Sequence, residues 1–229
     1  KVYRKKGYQI PESGKAAKGV NIVNILQVET GERVQAMLHF RETGDEELYL
    51  FMTTRNGTVK RLEVSALKNL RNNGIRALTL DEGDELISVT ETRGHDRMLI
   101  ATHDGQAVCF DETDVRAMGR TAVGVRGIRL REGDYVVGAA RAREGKSVLT
   151  ITEKGYGKRT PVEEYRVRGG ERDLALRLGL SDLALVRAPV RDGENLTVIG
   201  GQDGLPGGFL ICAAADDYLW LRRLAAAIR

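Results

Sequence analysis

Between residues 113 and 131 the sequence TDVRAMGRTAVGVRGIRLR sets Arg116, Arg120, Arg126, Arg129 and Arg131 against a single acid, Asp114. A guanidinium is charged at every accessible pH and offers its N–H donors in a fixed fork, a geometry suited to phosphate oxygens. The same bias appears earlier, over 54–76, where Arg55, Lys60, Arg61, Lys68, Arg71 and Arg76 face Glu63 alone, while acids gather in the DEGDE turn at 81–85. The chemistry such segments can do is electrostatic: holding a polyanion, with no bond made or broken.

No constellation for covalent chemistry stands beside them. His39, His95 and His103 share no metal-ligand spacing. GRTAVG, residues 119–124, has the glycine spacing of a phosphate loop, but Val125 and Arg126 follow where Lys and Ser or Thr are required, so nucleotide binding is not expected. Cys109 and Cys212 are too few and too distant for a disulfide framework or a metal knuckle and read as buried, inert thiols. The tyrosines, Tyr8, Tyr156 and Tyr165 among them, read as packing residues. No apolar run approaches the roughly 20 residues of a membrane span, and KVYRKKGYQI lacks the apolar stretch of a signal peptide, which points to a soluble, intracellular chain.

The elements that must position the arginines repeat. LYLFMTTRNGTVKRL (48–62) returns as RMLIATHDGQAVCF (97–110) and as SVLTITEKGYGKRT (147–160), placing Gly57, Gly105 and Gly155 at spacings of 48 and 50. A second marker keeps the same phase: Gly31, Gly83 and Gly133, each followed by an acid, lie 52 and 50 apart. Self-similarity at this period indicates an array whose units bury their apolar faces on each other. The net charge of +4 belongs to the repeats, because residues 1–170 hold 29 basic against 24 acidic side chains and 171–229 hold 7 against 8. Stacked or ringed units would align their basic segments into one band.

Runs rich in Leu, Ile, Val, Thr and Phe predict strands at 48–53, 58–62, 75–80 and 86–91, and again at 98–102, 106–110, 125–130 and 135–140. Asn56-Gly57 and Asp104-Gly105 predict two-residue hairpin turns. Four strands in about fifty residues is the content of a propeller-like blade. The longer connections at 65–74 and 113–124 have room for a short helical turn and a basic loop.

MGRTAVGVRGIRLREGD (118–134), EKGYGKRTPVEEYRVRGG (153–170), DEGDELI (81–87) and YQIPESGKAAKG (8–19) together resemble the C-terminal DNA-wrapping domain of the A subunit of bacterial DNA gyrase, with the related domain of topoisomerase IV as the near alternative. The resemblance covers about 1–170. It implies an all-β, propeller-like β-pinwheel of four-stranded blades that exchange strands with their neighbours and wrap double-stranded DNA on a basic rim. It further implies that the cleaving tyrosine lies in another part of the same gyrase polypeptide, and that the B subunit, in an A2B2 heterotetramer, uses ATP and magnesium. This region would then hold no catalytic site and need no cofactor, while supporting negative supercoiling in the cytoplasm at the nucleoid. The expected phosphate-facing cations are Lys60, Arg61, Arg76, Arg116, Arg120, Arg126, Lys158, Arg159 and Arg168. A repeat disc is also a platform for protein partners, but aromatics at 5% and a basic excess favour nucleic acid.

Two departures from the family pattern stand out. The opening strands of the first unit and the heptapeptide Gln-Arg-Arg-Gly-Gly-Lys-Gly are not present, so the units expected are a partial blade over about 1–47, blades over 48–96 and 97–146, and a half blade over 147–170. After Gly170 neither repeat marker continues in phase, and 171–229 carries seven arginines but no lysine. That tail reads either as a divergent blade or drifted segment, or as the product of a reading-frame shift near codon 170. Its stretch LWLRRLAAAI (219–228) has helical apolar spacing.

Overall fold

The computed structural model describes residues 1–38 (except 15 and 30), 47–68, 73–152 and 157–165, with 167, 176–177, 183–184, 186–189 and 195–199 beyond them. Gly155, Tyr156, Arg168, His39, Cys212 and the stretch 219–228 lie outside the described residues, as does the side chain of Lys158.

The chain builds sheets in succession. The first unit supplies β1 (Tyr49–Thr54), β2 (Thr58–Glu63) and β3 (Leu86–Thr92); the second supplies β4 (Arg97–Thr102), β5 (Gln106–Asp111), β6 (Val125–Arg126) and β7 (Val136–Ala142). The third opens with β8 (Ser147–Thr152) and β9 (Gly157–Pro161), followed by β10 (Leu176–Arg177), β11 (Leu183–Ala184), β12 (Val186–Pro189) and β13 (Asn195–Ile199). In the first sheet the order is β3-β1-β2-β6, and in the second β7-β4-β5-β10. The short 3₁₀ turns Val64–Leu67, Glu112–Asp114 and Val162–Glu164 follow the second strand of each unit, where the sequence leaves room for a helical turn.

The fourth strand of each of these two sheets comes from the next repeat. Val125 and Arg126 pair with Val59 and Thr58, and Leu176 and Arg177 pair with Ala107 and Gln106. The apolar runs at 75–80 and 125–130 therefore do not complete their own blades as full strands. Ile75 instead forms an isolated bridge to Val2, and only 125–126 joins a ladder, in the preceding sheet. Gly124 makes the exchange possible. At φ +128°, it passes so near β2 that a Cβ would stand 2.5 Å from the Val59 carbonyl oxygen.

Exchange continues past Gly170 through β10, but the rest of the pattern does not. The outer neighbours β3 and β7 run antiparallel to β1 and β4, whereas β13 runs parallel to β8.

Alternation along a strand sends successive side chains to opposite faces, so each central strand feeds two cores. Phe51 joins Met98, Ile100, Val108 and Phe110 between the first and second sheets, while Leu50 and Met52 pack with Leu62, Leu67 and Ala77 on the other side. Likewise Leu99 and Ala101 meet Cys109, Val148, Val162 and Tyr165. Successive blades thus share cores, the first with the second and the second with the third, as an array requires.

The two repeat markers keep phase because they touch. The β1–β2 turn closes from Gly57 N–H to the Thr54 carbonyl (3.1 Å) and the β4–β5 turn from Gly105 N–H to Thr102 (3.1 Å), leaving Arg55-Asn56 and His103-Asp104 at the centres. The glycines follow in the left-handed region, at φ +82° and +74°. The two-residue turn expected with both members of Asn-Gly at its centre is therefore corrected to a longer one ending on glycine. The aspartate of each glycine-acid turn caps that hairpin: Asp84 Oδ1 accepts from Asn56 N–H (2.9 Å), and Asp134 Oδ1 from Asp104 N–H (3.0 Å).

Candidate nucleic-acid interface

The segment 117–128 is laid along β2 of the preceding blade. Ala117 bridges Arg61, Met118 N–H donates to the Arg61 carbonyl (2.8 Å), 125–126 pair with 58–59, and Gly127 N–H donates to the Gly57 carbonyl (2.8 Å). Between these attachments the chain bulges outward over 119–124. Arg120 and Arg126 on this segment are exposed, as are Arg116 just before it and Arg129 and Arg131 just beyond it. Arg76 is exposed on the adjoining segment 76–80, which is tied to the bulge by Thr79 Oγ1 donating to the Thr121 carbonyl (2.9 Å). Arg159 is exposed on β9, at the place in the third unit that Arg61 holds in the first. Five of the nine cations expected from sequence thus stand at the surface.

Two do not. Lys60 is fully buried, and its Nζ donates to three carbonyls, those of Ala77 (2.8 Å), Arg120 (2.9 Å) and Ala122 (2.8 Å). An ammonium has three donors, so these bonds use its whole capacity. The expectation that Lys60 faces a phosphate is corrected: its charge points inward, and burial lowers its titration to about 8. Arg61 is corrected as well. Its side chain is 12% exposed, lies over the Tyr49 ring at 4.5 Å and reaches 3.7 Å from the Glu112 carboxylate. Glu112 in turn is buried and accepts from Thr92 Oγ1 (2.6 Å) and Asp96 N–H (2.8 Å), so Arg61 serves an internal polar network. The remaining pair, Lys158 by its side chain and Arg168 altogether, lies outside the described residues.

Other sequence readings resolve here. Cys109 is a buried free thiol, pushed up to about 11 by burial. Tyr165 packs in the core between the second and third units, but Tyr8 is 85% exposed, so the expectation of packing fails there. His103 has no metal-ligand spacing in the sequence, yet the hairpin turn brings a ligand atom from each of His103, Asp104 and Asp134 within 4.8 Å of one another. Sequence spacing misses this grouping because Asp134 arrives through the turn-capping contact. Asp134 Oδ1 is already occupied there by the Asp104 and Tyr135 N–H groups. Among the described residues no helix is long and apolar enough to cross a membrane.

Residues 1–40, 48–92, 96–143 and 146–173 match the family described as DNA gyrase C-terminal domain, beta-propeller. The chain belongs to that family. The matched blocks break near 47, 95 and 145, where one gyrase-type repeat gives way to the next. Over 175 residues, 75% of the chain, it is 43% identical to the A subunit of DNA gyrase from Staphylococcus epidermidis and 42% identical to that from Staphylococcus aureus. The chain spans 20% of the length of these relatives. Among solved structures, the C-terminal domain of DNA topoisomerase IV matches with a TM-score of 0.59 at 24% identity, covering 82% of this chain and 66% of that one. A DNA gyrase A C-terminal domain matches at 0.57 and 22% identity, covering 80% and 66%. At these identities the two structures speak for the fold.

Proposed function

We propose that this domain binds double-stranded DNA without reading its bases and wraps it along the arginine-bearing loops between blades. The observation that carries the reading is the bulge 119–124, pinned at both ends to the preceding blade, with Arg120 exposed on it, Arg116 and Arg126 exposed on either side of it and Arg76 beside it. Guanidinium groups held on a rigid sheet edge can follow phosphates but lack the groove-entering element that base readout needs. Membership in the gyrase family supports the rest: the domain serves the DNA-cleaving polypeptide of a type IIA topoisomerase, paired with an ATP-hydrolysing one in an A2B2 assembly at the bacterial nucleoid. ATP and magnesium are then used elsewhere, and the chirality of the wrapped segment biases strand passage towards negative supercoils.

Titration of the chain with linear duplex across salt tests the binding. If about 6–10 phosphates are neutralised, affinity should fall by roughly 10³–10⁵ between 50 and 200 mM salt. A flat response would refute it. Binding to a closed circular plasmid, followed by relaxation with a separate topoisomerase, tests the wrapping, for which a linking-number change of constant sign is expected.

A further inference from the structure

A fully buried lysine is rare, and here the three acceptors on its ammonium come from two segments outside its own strand. Ala77 belongs to the connection between β2 and β3 within the first unit, whereas Arg120 and Ala122 belong to the second unit's basic bulge. The carbonyl between them, that of Thr121, is held by Thr79 Oγ1. Three consecutive carbonyls of the bulge are therefore held by donors from the preceding blade, two by the buried Lys60 and one by Thr79 at the surface. The Arg120 side chain, on the same residues, is left at the surface.

We infer that Lys60 and Thr79 form an internal clasp that positions the 119–124 loop, and with it Arg120, for contact with a DNA phosphate. The inference rests on the DNA-binding reading above, and it makes Lys60 a positioning residue that never meets the ligand. The next blade shows what the clasp adds. The residue matching Lys60 there is Val108, buried in an apolar core, so the fold closes at this position without any cation. A lysine that the fold can do without is explained by what it holds. Its charge suits it to holding carbonyls, because an ammonium binds them more strongly than a neutral donor does, and removing it frees two loop carbonyls to take water instead.

The test uses the whole chain and variants Lys60→Met, Thr79→Val and Arg120→Ala. Hydrogen exchange reads the loop directly, at the amides of Met118 and Ala122, which are bonded to the Arg61 and Gly119 carbonyls. Lys60→Met should speed exchange there while leaving β5 protected, and Thr79→Val should do so more weakly. With a mixed-sequence linear duplex at fixed salt, Lys60→Met should weaken binding about fivefold in the native background and less than about twofold beside Arg120→Ala, since residues acting through one another are not additive. A lysine with only a structural role would cost the same in both backgrounds. Unchanged exchange, or equal loss in both backgrounds, overturns the inference. Should native protein bind duplex with no salt dependence, the DNA reading falls and the role in phosphate contact falls with it, while exchange still decides whether the clasp exists. Thr79→Val supplies the answer if Lys60→Met does not fold.

Discussion

The blade built on β1 and β2 and the blade built on β4 and β5 share their turn closure, their aspartate cap and their borrowed fourth strand, yet differ inside the second strand. One carries Lys60 and Arg61 there, the other Val108 and Cys109. Val108 sits among Phe51, Met98, Ile100 and Phe110, between two complete sheets. Lys60 lies on the face of its sheet turned away from that core, where Ala77 and the bulge deliver carbonyls. Identical backbone positions thus tolerate a methyl-rich core or a cation, according to whether backbone oxygens converge on them. The repeat keeps its hydrogen-bond closure and leaves the chemistry of the filling free.

Exchanging the two fillings breaks this comparison most severely. Val108→Lys brings a charge into a core of hydrocarbon and should cost about 3 kcal/mol or more, read as a shift in the urea midpoint. Next come the caps. Asp134→Ala should cost about 1–3 kcal/mol, because the turn amides of Asp104 and Tyr135 lose their acceptor; Asp84→Ala, at a more open turn, should cost less in the same assay. The smallest change is Lys60→Val, within about 1 kcal/mol at neutral pH, since loss of a bond to the buried Ala77 carbonyl is offset by relief of a buried charge.

That last variant carries a pH signature. Lys60 titrates at about 8 when folded against 10.5 in the open chain, so between those values the unfolded state holds the extra proton. The contribution of Lys60 to stability therefore rises with pH across this window, having been lowered by burial of the charge below it. Urea midpoints from pH 7 to 10.5 should climb less steeply for Lys60→Val than for the native chain.

Most of the architecture is legible in the sequence because the repeat writes it twice. Gly57 and Gly105 mark the hairpins, and the aspartates after Gly83 and Gly133 keep step because they cap those same turns. Strand exchange is not legible from periodicity. The run at 125–130 has the composition of a strand, but nothing in it says which sheet it joins, and the close approach of Gly124 to Val59 exists only in three dimensions. The exposed arginines of the bulge are found from their clustering alone. Lys60 escapes such reasoning because residue type argues for the surface, although one signal is available: aligning the repeats at their glycines sets Lys60 opposite Val108 in an apolar strand of the second unit, while the third unit has Lys158 there. Arg61 escapes for a different reason, since its partner Glu112 comes from the next unit at a position held by valine in the repeats before and after it.

The borrowed strand has a consequence for how such a chain emerges from the ribosome. A blade begun at Tyr49 obtains its last strand only when Val125 and Arg126 have been made, and the second waits likewise for Leu176 and Arg177, so neither of the first two blades can finish folding until much of the next unit exists. Growth proceeds like links in a chain, each locked by the next. Inserting or deleting a whole repeat would preserve every junction between the survivors, whereas a break inside one repeat damages two blades at once.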